Sequence, residues 1–231
     1  MRKWQAAGVA ILAVAGLANA AEPAALGTAA HPDTSGWTAV FAPDLSNAFY
    51  PAGIWTASNG VFTASADEAV WTTGSHSNFV LDLEFKTAAA ANSGVVLYCT
   101  DTANWIPNSV EVQILDDAAP KWKDAEPTWR CGAIFGHLAP GKPMARPAGE
   151  WNRMTITAAG PRLEVIFNGE RIVSADLRQW TSTKQNPDGS AIPPWLAAKP
   201  LAAQPTQGRI GFQGRHAGAA VWFRNIRIKS L

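Results

Sequence analysis

Phe79-Val80-Leu81-Asp82-Leu83-Glu84-Phe85-Lys86 is the stretch on which the fold turns. Phe79, Leu81, Leu83 and Phe85 fall on one face; Asp82, Glu84 and Lys86 fall on the other. A period of two is that of a strand with one buried side, whereas a helix would repeat its apolar residues every three or four positions. The alternation returns in Val110-Glu111-Val112-Gln113-Ile114-Leu115-Asp116, with Glu111 and Gln113 opposite Val110, Val112 and Ile114. Between the two, Gly94 to Thr100 is mostly apolar and predicts a central strand. Outward from this centre, Trp55–Ser58, Asn59-Gly60 and Val61-Phe62 read as strand, turn and strand. Leu163–Phe167, Asn168-Gly169 and Arg171–Ser174 repeat that hairpin signature. Trp151–Thr157, Arg209–Gln213 and Val221–Lys229 add further strands. About ten strands with turn residues between them predict an all-β antiparallel sandwich.

With 231 residues, one such sandwich accounts for the chain, and it is expected over 35–231. Residues 21–34 are rich in Ala and Pro and read as a flexible leader. Residues 1–20 read as a signal peptide: Arg2 and Lys3, the apolar run Ala6 to Ala18, and the small-x-small site Ala18-Asn19-Ala20. Cleavage after Ala20 would deliver a periplasmic or secreted protein. The apolar run is shorter than the roughly 20 residues of a membrane helix and has no successor, so no membrane span is expected. Lys and Arg number 19 against 18 Asp and Glu, which leaves no basic field for nucleic acid. Cys99 and Cys131 are the only cysteines. In an oxidising compartment an even count leaves two readings open, a disulfide or two buried thiols.

Leu177 to Gln207 breaks the rhythm with a long Pro- and Trp-bearing loop before the last two strands. Loops of this length are often binding loops or lids. There are 11 Trp. Trp37, Trp55, Trp71, Trp151 and Trp222 suit core positions. Trp105, Trp122, Trp129, Trp180 and Trp195 lie in or beside loops, where aromatic faces can stack on sugar rings; Trp180 and Trp195 are candidate substrate contacts.

If the strands of Glu84 and Glu111 lie close, Glu84, Glu111 and Gln113 point into one groove, with Asp116 closing the strand; the other reading is a solvated acidic face. Paired carboxylates are the core of most glycoside hydrolysis. Gln213-Gly214-Arg215-His216-Ala217-Gly218 is a glycine-flanked turn that can hold an imidazole and a guanidinium over the same groove, and histidine is the usual acid/base near neutral pH. His137 could reach it from a neighbouring loop, and His31, in the leader, is given no role. No Walker loop, GxSxG elbow, dinucleotide fingerprint or metal-ligand spacing occurs, so neither cofactor nor metal is expected.

Several segments together resemble a known family. They are Asn92-Ser93-Gly94-Val95, Val110 to Asp116, Gly132-Ala133-Ile134-Phe135-Gly136, Pro147-Ala148-Gly149-Glu150-Trp151-Asn152, Phe167-Asn168-Gly169, Gly208 to Gln213 and Val221 to Lys229. Their order is similar to that of the 3-keto-disaccharide hydrolase domain family over about residues 36–231, and the Lys184–Trp195 loop resembles that of many members. The resemblance implies a concanavalin A-like jelly roll with a carbohydrate groove. It implies an enzyme on glycosides oxidised at C3, in which the ketone acidifies the C2 proton so that the C1 substituent leaves by elimination and water adds back. Glu111 or His216 would be the base, Glu84 the second carboxylate as acid, and Gln113, Arg130 or Arg215 the oxyanion or hydroxyl donors. Gln113 stands where glucanases of the same architecture need a second acid, so a plain double displacement does not fit. The alternative is a lectin-like module that binds carbohydrate without chemistry.

Overall fold

The computed structural model describes residues 24–196 and 198–231. The expected signal peptide at 1–20 lies outside them. Among the described residues the strands are β1 (Gly27–Thr28), β2 (Thr38–Ala39), β3 (Ala48–Phe49), β4 (Trp55–Ser58), β5 (Val61–Ala64), β6 (Val70–Thr72) and β7 (Phe79–Thr87). They continue with β8 (Asn92–Cys99), β9 (Val110–Leu115), β10 (Trp151–Ala159), β11 (Arg162–Phe167), β12 (Glu170–Asp176), β13 (Arg209–Phe212) and β14 (Val221–Ser230). A nine-stranded sheet runs β1-β12-β11-β10-β7-β14-β5-β4, with β2 also on β14, and a five-stranded sheet runs β3-β6-β13-β8-β9. Every pairing is antiparallel. The expected sandwich is therefore the fold found.

The alternating residues make its core. Phe79, Leu81, Leu83 and Phe85 are at most 1% exposed. They face Val95, Leu97, Val110, Val112, Ile114, Ile210 and Phe212 of the other sheet in one continuous cluster. Full burial of such a side chain is worth roughly 1.5–3 kcal/mol. Asn59-Gly60 and Asn168-Gly169 carry φ of 51° and 73°, and of 48° and 89°. Two consecutive positive φ values are what a type I′ hairpin turn requires.

Two expectations need correction, and of the two readings left open for the cysteines the structure shows the buried thiols. The stretch read as a flexible leader is tied down from residue 24 onward. Gly27 and Thr28 pair with β12, and His31 accepts from the Gly169 N–H at Nε2 and bonds Thr155 Oγ1 through Nδ1 at 2.8 Å. Cys99 and Cys131 are both free and buried. Cys131 belongs to the core between the sheets, whereas Cys99 packs with Ala69, Trp71 and Val96 on the opposite face of the smaller sheet, so the sheet itself keeps the sulfurs apart. Burial pushes both thiols up, Cys99 to about 11, which leaves them inert. Trp180, read as a sugar contact, is 3% exposed. Its Nε1 donates to Asn186 Oδ1 at 3.0 Å, so it anchors the long loop from inside.

Candidate active site

The outer face of the five-stranded sheet carries the site, and two glycines make room for it. Register sets Gly94 opposite Gln113 and Val96 opposite Glu111, and Gly211 opposite Val96 and Trp71. A Cβ on Gly94 would lie 1.9 Å from Glu111 Oε1, and one on Gly211 would lie 2.3 Å from the Trp71 ring. The Glu111 carboxyl and the Trp71 indole thus lie directly over bare backbone, a position any larger residue would forbid.

The walls are aromatic. The segment around Cys131–Phe135 runs along the edge of β9, with Gly132 N–H donating to Gln113 O, Gln113 N–H to Ala133 O and Phe135 N–H to Glu111 O. That ladder sets Phe135 beside Glu111, where it packs against Trp129 and Trp195 with ring centroids 5.4 and 6.1 Å away. Trp195 is 53% exposed. Trp105 stands on the other side, edge-on to Trp71 at 6.3 Å. The rim is the Gly214–Gly218 turn, fastened where Gln213 N–H donates to Gly94 O at 2.9 Å and where His216 bridges Asn92. Asn92, Trp105, Ile106, Glu111, Gln113, Phe135, Trp195, Gln213 and His216 line a cavity of about 130 Å³. That is below the roughly 300–1,000 Å³ of a pocket that engulfs a drug-sized ligand. It suits the reacting end of one ring, with the remainder of the ligand lying along the open rim.

The electrostatics divide the labour. Glu111 has no cation or hydrogen-bond partner on its carboxyl among the described residues. Burial, with the like charge of Asp67 nearby, pushes it up to about 8. At neutral pH it holds its proton. His216 is exposed and its Nδ1 lies 2.5 Å from Asp67 Oδ2, an arrangement that fixes the ring and leaves Nε2 as a base. Gln213 Nε2 holds the other Asp67 oxygen at 3.4 Å. Gln113 Oε1 accepts from the Ile114 N–H at 3.2 Å, which turns its amide NH₂ toward a ligand. A protonated acid, an imidazole base and amide donors therefore border one small cavity. Among the described residues no group of three His, Cys, Asp or Glu converges as a metal site would require.

Glu111, Gln113, His216 and Trp195 come together as expected; five other expected residues do not. Glu84 points off the outer face of the nine-stranded sheet, paired with Arg224 at 2.7 Å, because β7 belongs to that sheet and not to the one that carries β9. Asp116 turns inward, and its Oδ2 accepts from the Ala90 N–H at 2.8 Å. Arg130 donates to Lys123 O and Arg215 to Gly218 O, so both guanidiniums close their own loops. Trp180 is the buried anchor described above. Sequence reasoning also missed Asp67 and Asn92. Asn92 stands in the Asn92-Ser93-Gly94-Val95 motif; Asp67 sits in a polar loop with nothing to distinguish it.

Comparison with known proteins places the chain in a family. The 3-keto-alpha-glucoside-1,2-lyase-like domain family matches residues 31–229. The chain belongs to this family. It is 30% identical over 172 residues to a 3-keto-disaccharide hydrolase of Bacteroides thetaiotaomicron, an alignment covering 67% of this chain and 59% of that protein. The chain thus spans less than two thirds of that relative's length. A crystal structure of a candidate glycosyl hydrolase from Parabacteroides distasonis is 49% identical, with a TM-score of 0.82 over 84% of this chain and 99% of the other. The CBM66 carbohydrate-binding module of Bacillus subtilis is 11% identical, with a TM-score of 0.51 over 82% of this chain and 99% of the module. At that identity the likeness is one of fold, the lectin-type sandwich.

Proposed function

We propose that this family member cleaves 3-keto-glycosides by elimination followed by hydration. The observation that carries the reading is the pairing, across one aromatic-walled cavity, of a carboxyl that keeps its proton with an imidazole backed by a carboxylate. His216 Nε2 takes the proton from C2, which the C3 ketone has acidified. The electrons form the C1–C2 double bond, the C1–O bond breaks, and Glu111 protonates the departing oxygen. The amide groups of Gln113 and Asn92 meet the charge that gathers on the C3 oxygen. Water then adds its oxygen to C1 and a proton to C2, giving the free 3-keto sugar. Trp105, Phe135 and Trp195 offer ring faces to the sugar. Of the two candidates for the base, His216 takes that role, and Glu111 serves as the acid in place of Glu84, which stands on the other sheet.

The test is incubation with 3-keto-trehalose and 3-keto-lactose beside the unoxidised sugars, in D₂O. A free 3-keto sugar carrying deuterium at C2 is expected from the oxidised pair alone. Release without deuterium would replace elimination with direct displacement. Binding without release would make the chain a carbohydrate-binding module. The basic, apolar and small-x-small pattern of residues 1–20 supports export, which N-terminal sequencing of the processed protein tests.

A further inference from the structure

Adjoining the sugar cavity, with which it shares Ile106, Glu111 and Phe135, lies a second and much smaller space. Glu111, Ser109, Phe135, His137, Leu196 and Gln204 are among its walls, and its volume is about 10 Å³. That is the lower limit for one water molecule. Three polar groups around it can be assigned donor and acceptor roles from their other bonds.

Asn186 donates from Nδ2 to Gly136 O and to Ser190 Oγ, both at 3.1 Å, which makes its Oδ1 the acceptor for Trp180 Nε1 and for His137 Nδ1 at 3.2 Å. His137 Nδ1 therefore carries the hydrogen, and Nε2 keeps a lone pair. Burial lowers His137 to about 4, so the ring stays neutral. Gln204 donates from Nε2 to Pro107 O at 2.8 Å, which leaves Oε1 as an acceptor. That oxygen is buried without a partner, on a side chain only 8% exposed. An unmet buried acceptor is costly. The protonated Glu111 is a donor with no acceptor among the described residues. One donor and two acceptors around a one-water space match the usual three hydrogen bonds of an internal water.

We propose that one buried water sits there, accepting the Glu111 O–H and donating to His137 Nε2 and Gln204 Oε1, and that His137 and Gln204 are thereby positioning residues that hold the Glu111 proton. Delivery of that proton to the leaving group rests on the function proposed above. The water's own part does not, since it concerns the resting protein. Four ionisable groups border Glu111 or its two cavities: Asp67 and His216 at the rim, and His137 and Lys199 at the water space. Only His137 is bridged to it by the water.

Isotope-edited infrared titration of the Glu111 carboxylic acid in the substrate-free protein tests the proposal, together with a crystal structure at high resolution. Wild-type density should show one water within about 3 Å of Glu111 Oε, His137 Nε2 and Gln204 Oε1. Gln204→Met keeps the shape and removes an acceptor; the Glu111 midpoint should fall by about half a pH unit or more. A role in packing alone would lower the melting temperature and leave that midpoint in place. Absence of the water from well-resolved wild-type density overturns the proposal, as does an unmoved midpoint in folded Gln204→Met. Neither measurement uses a sugar. A sugar assay that fails beside a midpoint that moves would reject the activity and keep the water.

Discussion

The two sheets turn outward faces of similar composition to the solvent, and they differ in whether their charges are already spent. On the nine-stranded sheet every carboxylate of β7 has its cation. Arg153 Nε lies 3.1 Å from Asp82 Oδ1, and Arg224 Nε lies 2.7 Å from Glu84 Oε2. Even the indoles are engaged: Lys86 Nζ lies 5.2 and 4.9 Å from the Trp151 and Trp222 rings, and Arg224 lies 3.9 Å from Trp151. On the five-stranded sheet Glu111 lacks a cation, Gln113 has a free amide group and Trp195 stands half in water. On the first face, around a cavity lined by Asp82, Glu84 and Arg153, the groups satisfy one another. A face whose groups are held in place but left unsatisfied is prepared for something else, at some cost to stability.

The strongest way to break that contrast is Glu111→Gln. Loss of a positioned acid or base typically costs 10²–10⁴-fold, and kcat on a 3-keto-disaccharide should fall by about that much. Stability should move the other way. The folded Glu111 titrates near 8, above the ordinary carboxylate value, so its protonated form is the one the fold accepts. The fold is unburdened below the unfolded value and pays for the charge as pH rises through 8. Glu111→Gln should therefore raise the melting temperature at pH 8 and leave it unchanged at pH 4. A variant that loses activity and is less stable at pH 8 would mean that the carboxyl is structurally satisfied.

His216→Ala should cost a similar 10²–10⁴-fold and abolish deuterium entry at C2 along with release. Asp67→Asn should cost less, about 10-fold, since it removes the support and not the base. Gly94→Ala sits next in the order. Its methyl would occupy the place of the Glu111 carboxyl, so kcat should drop at least 10-fold while the strand, whose register needs no special φ at this position, still forms. Trp195→Ala should raise KM by roughly 10-fold, in line with 1–2 kcal/mol of lost stacking, with kcat little changed.

How much of this could be read beforehand differs between fold and site. The alternation of Phe79–Lys86 and Val110–Asp116 dictated the sandwich because a period of two has one physical use, and the Asn-Gly pairs located two hairpins. The same alternation put Glu84 and Glu111 on outward faces without saying that those faces belong to different sheets. Which strands are neighbours is decided by long-range pairing, and β7 joins β10 and β14, which lie far along the chain. Gln113, His216 and Trp195 were legible from residue chemistry and turn context. Trp180 was misread because loop membership says nothing of burial when a loop folds back on its own anchor. Asp67 was invisible, since an acid in a polar loop gains meaning only from the imidazole that the fold brings to it. The cysteine pair stayed open for a related reason: an even count says nothing about which side of a sheet each sulfur lies on.

The smallest expected effect is the one that tests the contrast from its quiet side. Glu84→Gln alters a carboxylate that the sequence pattern made the equal of Glu111. Its partner Arg224 is partly exposed, so the pair is screened and its loss is worth about 1 kcal/mol or less. The remaining amide can still accept from the Asn225 side chain, which now bonds Glu84 Oε2 at 2.6 Å. Arg224 keeps its stacking on Trp151, so the guanidinium is not stranded. Melting temperature should fall by a few degrees at most, and kcat and KM should be unchanged. A large loss of turnover in Glu84→Gln would make the nine-stranded face part of the chemistry, because an ion pair on the far side of a packed core has no short route to the sugar cavity.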